Sequence, residues 1–263
     1  MKISAAKLKA NILSAVLVLA FYETAAAGGP FGPPQPLSRT AAGLQTAFGY
    51  WYHEEEYDNG RENVMKQNQI YSQLGYGARN WFVYGRIGGA DLSISDAFQP
   101  DRAATSTSHN DFNGNWKVFG TLGAKGFYPC NTTFGIGVFL QGSYVFGEYT
   151  DQVSGTYNGT PFSTKLKAEN PWDVNFGLGF QATVPKDIKL YLGPFFYYSE
   201  AKMSQSANIP GLEFLAGSST IQNETKAGGF AGVDVPLGRG FRLNVEGQYS
   251  ERFSFGSAVT YSY

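Results

Sequence analysis

The chain carries two histidines, and each stands close to carboxylates. His53 precedes Glu54, Glu55, Glu56 and Asp58, while His109 lies in a Ser/Thr-rich stretch with Asp111. An imidazole oriented by a carboxylate is the pairing that activates a hydroxyl for acyl transfer, so a hydrolytic site assembled across segments is one reading. Neither histidine sits in a recognisable nucleophile motif, so we expect surface polarity and assign no catalytic residue. The acidic run at 54–58 offers oxygen ligands to a divalent cation, but a solvated acidic rim has the same composition. No metal and no cofactor are expected. Cys130 is the sole cysteine, which excludes an intrachain disulfide, and its Tyr-Pro-Cys-Asn setting reads as a turn.

A second set of ionic residues is more informative because its spacing has a period of two. In Phe241–Tyr249 the residues Phe241, Leu243, Val245, Gly247 and Tyr249 share one face, and Arg242, Asn244, Glu246 and Gln248 share the other. The same sorting separates Trp172, Val174, Phe176, Leu178 and Phe180 from Asp173, Asn175 and Gln181. About ten such segments follow one another, near 44–55, 66–77, 81–91, 116–126, 133–147, 171–184, 188–200, 225–236, 241–250 and 253–263. Short connectors at 78–80, around Cys130, at 185–187 and at 238–240 alternate with long polar ones near 92–115, 149–170 and 201–224. That alternation is expected of strands running up and down a membrane barrel, with short turns inside and long loops outside. Helical periodicity is absent.

The first residues place Lys2, Lys7 and Lys9 before an apolar run from Ile12 to Phe21, followed by Ala25-Ala26-Ala27. This is the pattern of a secretory signal peptide over 1–27, too short in its apolar core to span a bilayer as a helix. Its removal takes away three lysines and Glu23, leaving 17 basic and 20 acidic residues, so there is no basic footprint for nucleic acid. Residues 28–42, rich in glycine and proline, are expected to form a poorly ordered periplasmic leader. The barrel then occupies 43–263. A mean hydropathy of −0.24 does not contradict a membrane protein, because barrels hide their lipid face in alternation.

A soluble sandwich or lipocalin-like barrel would show the same alternation with its faces reversed. The export signal, the aromatic residues near strand ends (Trp81, Trp116, Trp172, Tyr198, Tyr249, Tyr261) and the alternating connector lengths favour the membrane. The expected fold is therefore all-β: a transmembrane antiparallel up-and-down barrel of about ten strands, eight or twelve being the neighbouring even numbers. Backbone pairing within lipid requires closure, so the last strand must pair with the first. By parity we assign to the lumen Arg86, Asp91, Lys117, Lys125, Asp173, Lys189, Lys226, Asp234, Arg242 and Glu246, with Trp51, Phe82, Tyr84, Phe119, Phe139, Tyr191 and Phe195. A barrel of this size is about filled by its side chains, and these ions are expected to pair with one another, Arg242 and Glu246 being central.

The signal peptide, the glycine-rich alternating strands and the terminal Val259-Thr260-Tyr261-Ser262-Tyr263 resemble the small outer-membrane barrel proteins of the OmpA-like and OmpX-like class. The resemblance implies a monomer in the outer membrane, in contact with its lipid and lipopolysaccharide, serving envelope integrity, adhesion or limited permeation. The carboxyl terminus, with Phe255, Val259, Tyr261 and Tyr263, also resembles the signal read by the barrel assembly machinery. We expect a non-enzymatic protein whose outward loops make surface contacts, with Tyr157, Leu212, Phe214 and Leu215 as contact candidates. A narrow porin-like pore is the alternative and an outer-membrane hydrolase the second.

Overall fold

The computed structural model describes residues 29–36, 42–58, 62–98, 104–157, 160–208, 215–222, 226–250 and 253–263. The expected signal peptide over 1–27, residues 28 and 37–41 of the expected leader, and the contact candidates Leu212 and Phe214 lie outside these. Alternation of apolar and polar residues produces ten wall strands: β1 (Gly43–Asp58), β2 (Glu62–Ala78), β3 (Trp81–Ile94), β5 (Phe112–Pro129), β6 (Phe134–Phe146), β8 (Thr160–Val184), β9 (Ile188–Asn208), β11 (Lys226–Gly238), β12 (Phe241–Tyr249) and β13 (Phe253–Ser262). Three further strands, β4 (Ala104–Thr107), β7 (Glu148–Tyr157) and β10 (Leu215–Gln222), belong to the outward connectors.

Each wall strand pairs antiparallel with its neighbours, and β13 pairs with β1 from Gln45↔Ser262 to Tyr52↔Phe255, closing the cylinder. Closure leaves no edge of the wall unpaired, which is what hydrocarbon demands of a sheet. The inner turns are short, and at Cys130 the Asn131 side-chain oxygen accepts from the amides of Thr133 and Phe134, which fixes the reversal.

The long connectors differ from expectation. They are continuations of the sheet: β8 and β9 stay paired from Val184↔Ile188 out to Ser163↔Asn208, β7 pairs with the outer part of β8, β10 with the outer part of β9, and β4 with β7. Their serine, threonine and lysine content hid the alternation, since a strand beyond the bilayer has no lipid face to mark it.

The wall sorts its side chains as the period requires. Phe48, Leu74, Ile87, Leu122, Leu140 and Val259 are exposed on the outside, an apolar band that suits hydrocarbon and would be a liability in water. The transmembrane β-barrel is thereby established in its architecture and in its surface. Inside, two separate clusters of buried apolar groups form. One, in the inner half, joins Phe31, Phe139, Tyr191, Phe195, Tyr197 and Phe230. The other, in the outer half, joins Trp51, Tyr71, Leu92, Phe112, Phe119 and Tyr149 with their neighbours, Tyr149 and Val153 arriving from β7.

Candidate functional site: the plugged lumen

Residues 29–36 are not a periplasmic tail; they lie inside the barrel. The correction concerns a segment without periodicity, Gly-Pro-Phe-Gly-Pro-Pro-Gln-Pro, which offers nothing to a sheet but many backbone polar groups to a surrounding wall. Gly29 and Gly32 take φ of +73° and +69°, the left-handed region that glycine enters without cost, and so fold the segment to fit the bore.

Almost every amide along the segment meets a lumen side chain. The Gly29 carbonyl accepts from Gln141 at 3.1 Å and Gln248 at 3.2 Å, and the Pro30 carbonyl from Arg86 at 2.7 Å. The two oxygens of Glu246 accept from the amides of Phe31 (2.8 Å) and Gly32 (2.7 Å), and also from Gln248 and the Tyr191 hydroxyl. The Pro33 carbonyl faces Lys125 at 3.4 Å, Gln35 donates its amide to Gln181 and accepts from Lys189, and Pro36 accepts from Gln45. These partners come from β1, β3, β5, β6, β8, β9 and β12. The Phe31 ring is fully buried against Phe139, Phe195 and Phe230, with centroids 5.3, 5.6 and 5.0 Å away. Carboxylate on one side and cations on the other thus grip opposite ends of the peptide dipoles, and charge-assisted bonds of this kind are the stronger ones.

Of the residues assigned to the lumen, Arg86, Lys125, Lys189 and Glu246 meet the plug, and Arg86 is further held between the rings of Tyr71 and Tyr84. Arg242 and Glu246 both point inward, yet they do not pair. Arg242 binds Asp234 and Asp187 at the inner end, whereas Glu246 serves the plug. Mutual ion pairing of the lumen is therefore confined to that Arg242 group among the described residues. Asp173 is inward and accepts from Asn175. Lys117 keeps its inward parity, half-buried, away from the plug; Lys226 pairs through its backbone with Tyr197, and its side chain lies outside the described set.

Asp91 is corrected. Arg86 and Asp91 differ by an odd number of positions, so one strand cannot send both inward, and Leu92 and Ile94 continue the buried series. Asp91 stands on the other face, where it accepts from the amide and side chain of Asn68. Phe255, Val259 and Tyr263 are exposed on the outer wall, and the Tyr261 ring lies 4.7 Å from each of Phe241, which is tilted to it, and Tyr263, which meets it edge to face.

In the outer half, β7 leans inward. The Tyr149 hydroxyl donates to the Ala90 carbonyl at 3.1 Å and its ring covers Gly114. His53 lies toward the outer end of β1, as the period predicts, but it is buried on the lumen side and not part of a polar surface. His109 bonds through Nε2 to Asp151 and through Nδ1 to the Ser108 hydroxyl, each at 3.2 Å, and not to Asp111. This serine–histidine–aspartate series ties strands together: Ser154 donates its amide to the Ser108 hydroxyl, Ser108 donates its amide to the Ser154 carbonyl, and Asn113 donates its amide to Asp151. Nearer the bilayer along β8, Lys202 at 3.2 Å and the Ser204 hydroxyl hold the Glu169 carboxyl below its ordinary range. Tyr157 and Leu215 lie in β7 and β10, and their side chains are outside the described set.

No part of the plug was legible as such, although one signal existed: Gly-Gly-Pro-Phe-Gly-Pro-Pro places a single large aromatic residue among residues that cannot form a strand or a helix. An isolated aromatic of this kind needs burial elsewhere.

Among solved structures, the barrel resembles the translocator domain of the autotransporter NalP from Neisseria meningitidis, at 12% identity and TM-score 0.46, covering 98% of this chain and 95% of that one. It also resembles the outer membrane protease OmpT from Escherichia coli, at 11% identity and TM-score 0.43 over 88% of this chain and 100% of that one. A third likeness is to the deltaS2 mutant of the monoaromatic hydrocarbon channel TodX, at 11% identity and TM-score 0.42 over 90% and 71%. These proteins differ in what they do, and the likeness is one of fold alone. No family model and no curated protein matches the chain.

Proposed function

We propose that the protein is a non-enzymatic outer-membrane barrel, exported by its signal peptide and acting as a monomer, closed across its lumen and serving contact at the cell surface. One observation carries this reading: the bore is occupied along its length, by residues 29–36 in the inner half and by an apolar core in the outer half, while β8 and β9 continue outward as an ordered sheet. Such a body has little room for steady flow and much surface for display. Lipopolysaccharide and outer-membrane lipid are its proposed surroundings, and the barrel assembly machinery its partner during biogenesis. Tyr157, Leu212, Phe214 and Leu215 remain the proposed contacts at the tips. Deleting 150–167, which removes most of the β7–β8 hairpin, should abolish surface attachment while leaving a heat-modifiable barrel; unchanged attachment refutes the surface role. A large, steady conductance of the intact chain in planar bilayers would refute the closed lumen.

The second reading, a narrow pore for ions or small solutes, draws on the plug being a separate segment rather than part of the wall. Liposome swelling with graded solutes distinguishes it.

A further inference from the structure

Between residues 29–36 and one side of the wall lies a cavity of about 40 Å³, reaching from Tyr71 and Arg86 down to Gln45 and Thr260 near the inner ends of β1 and β13. Three cations line it, Arg86, Lys125 and Arg242, against one carboxylate, Asp234. Asp234 is committed, because it accepts from Arg242, whose guanidinium also bonds Asp187. Lys189, opposite Asp234 in the register of β9 and β11, adds a further cation rather than removing one. Glu246 stands across the segment with its oxygens on the amides of Phe31 and Gly32, and Asp173 accepts from Asn175 and does not line the cavity. Arg86 and Lys125 therefore face one space with no carboxylate partner among the described residues.

Neither cation has used up its donors. Lys125 carries three and makes one hydrogen bond among the described residues, to the Pro33 carbonyl at a long 3.4 Å. Arg86 spends Nε on Gln73 and Nη2 on the Pro30 carbonyl, while its Nη1 makes no hydrogen bond among the described residues. Glycine lets both heads close on the segment, since a Cβ at Gly29 would stand 3.2 Å from Arg86 Nη1 and one at Gly32 would stand 3.1 Å from Lys125 Nζ. The rings of Tyr71 and Tyr84 flank Arg86, and those of Tyr84 and Phe139 flank Lys125, at 4.8 to 5.8 Å. A ring face attracts a cation without cancelling its charge. Taking two like charges out of water is costly unless an opposite charge accompanies them. The cavity exceeds the roughly 10–15 Å³ that one water needs, and it accommodates a halide or a carboxylate the size of formate.

We propose that this cavity is a binding site for one small monovalent anion, held by Lys125 and Arg86, and that the bound anion locks residues 29–36 against the wall. The lock follows from the second contact of each cation. Arg86 and Lys125 also hold the Pro30 and Pro33 carbonyls, so an anion that keeps both heads in place keeps the segment in place. Without it, the two like charges repel each other and are drawn toward water at the inner mouth. The inference is independent of any role at the cell surface.

The test uses the chain refolded into lipid vesicles and reads two signals. The protein should broaden the chloride NMR resonance beyond vesicles alone; bromide should relieve this, formate should relieve it if the site takes carboxylates as well as halides, and gluconate, too large for the cavity, should not. Exchange of the Phe31 and Gly32 amides should be about threefold or more slower in sodium chloride than in sodium gluconate at equal ionic strength, because a ligand of the seated form suppresses its opening. Lys125→Met removes the charge, and Ala258→Val fills the cavity without touching a charge; each should abolish both signals. If one of them fails to give a heat-modifiable barrel, the other is read in its place. Lys117→Met, which removes the same charge away from the segment, should leave both signals intact. No excess broadening would mean that the cavity holds water, and would overturn the site. Broadening that survives Lys125→Met and Ala258→Val would place the ion elsewhere and overturn it equally. Broadening lost in the variants, with exchange alike in the two salts, would overturn the lock.

Discussion

The inner and outer halves of the lumen close by different physics. The inner half is filled by a separate segment whose backbone is met by long polar side chains, with one aromatic ring as anchor. The outer half is filled by the strands' own apolar side chains, reinforced by Tyr149 and Val153 as β7 folds over the mouth. Hydrogen bonds between groups that water also satisfies yield only about 0.5–1.5 kcal/mol each net, so such a plug is held by many directional contacts and little bulk. Apolar burial is non-directional and does not reverse without exposing surface. One cylinder thus carries a closure built to release and a closure built to stay.

That contrast is sharpest where a large side chain is removed from each half. Trp51→Ala in the outer core should lower the unfolding free energy by about 3–5 kcal/mol, the usual loss for deleting a buried large aromatic, as read from urea titration in lipid vesicles. A loss under about 1 kcal/mol would show that the outer half is loosely packed and dissolve the distinction. Phe31→Ala removes an equally buried ring, but from a segment free to leave. It should change global unfolding by less than about 1 kcal/mol while hydrogen exchange at 29–36 rises steeply, because the cost falls on local opening. A global loss as large as that at Trp51 would make the plug part of the core.

Glu246→Gln tests the polar grip without altering size. An amide has one acceptor oxygen where the carboxylate has two, and its NH2 would face a donor, leaving Phe31 or Gly32 unsatisfied at about 1–3 kcal/mol. Exchange of those two amides should quicken by about ten- to a hundredfold. Unchanged exchange would assign the grip to the cations instead. The smallest effect is expected at Asp151→Asn, which weakens the His109 contact and the Asn113 amide bond at the outer rim. It should loosen β4 against β7 with a global cost below about 1 kcal/mol, and show no loss of a hydrolytic activity on ester probes.

The wall was legible because each strand lies between lipid and lumen, and the two solvents impose a period of two on its residues. Phe241–Tyr249 could be sorted residue by residue, and the exposed Phe241 and Val245 and the buried Arg242 and Glu246 stand as sorted. Legibility failed where one of those solvents was missing. The outer parts of β8 and β9 have water on the outside, so their alternation faded into a polar connector. Asp91 was misassigned although parity alone excludes it: it lies an odd number of positions from Arg86, and the buried series on β3 runs through Ala90, Leu92 and Ile94 without a break.

Partnerships were beyond parity altogether. Alternation says that Arg242 and Glu246 point inward, but which groups meet there depends on the curvature that brings Lys125 of β5 and Glu246 of β12 to opposite sides of one segment.

By itself, then, the sequence determined a closed cylinder of ten alternating strands, its apolar outside and its ionic inside, because those are set between near neighbours along the chain. The tertiary structure alone decided that residues 29–36 fill the bore. Glycine and proline give that segment no period, and its partners lie as far as 219 positions away, on strands that only closure brings together.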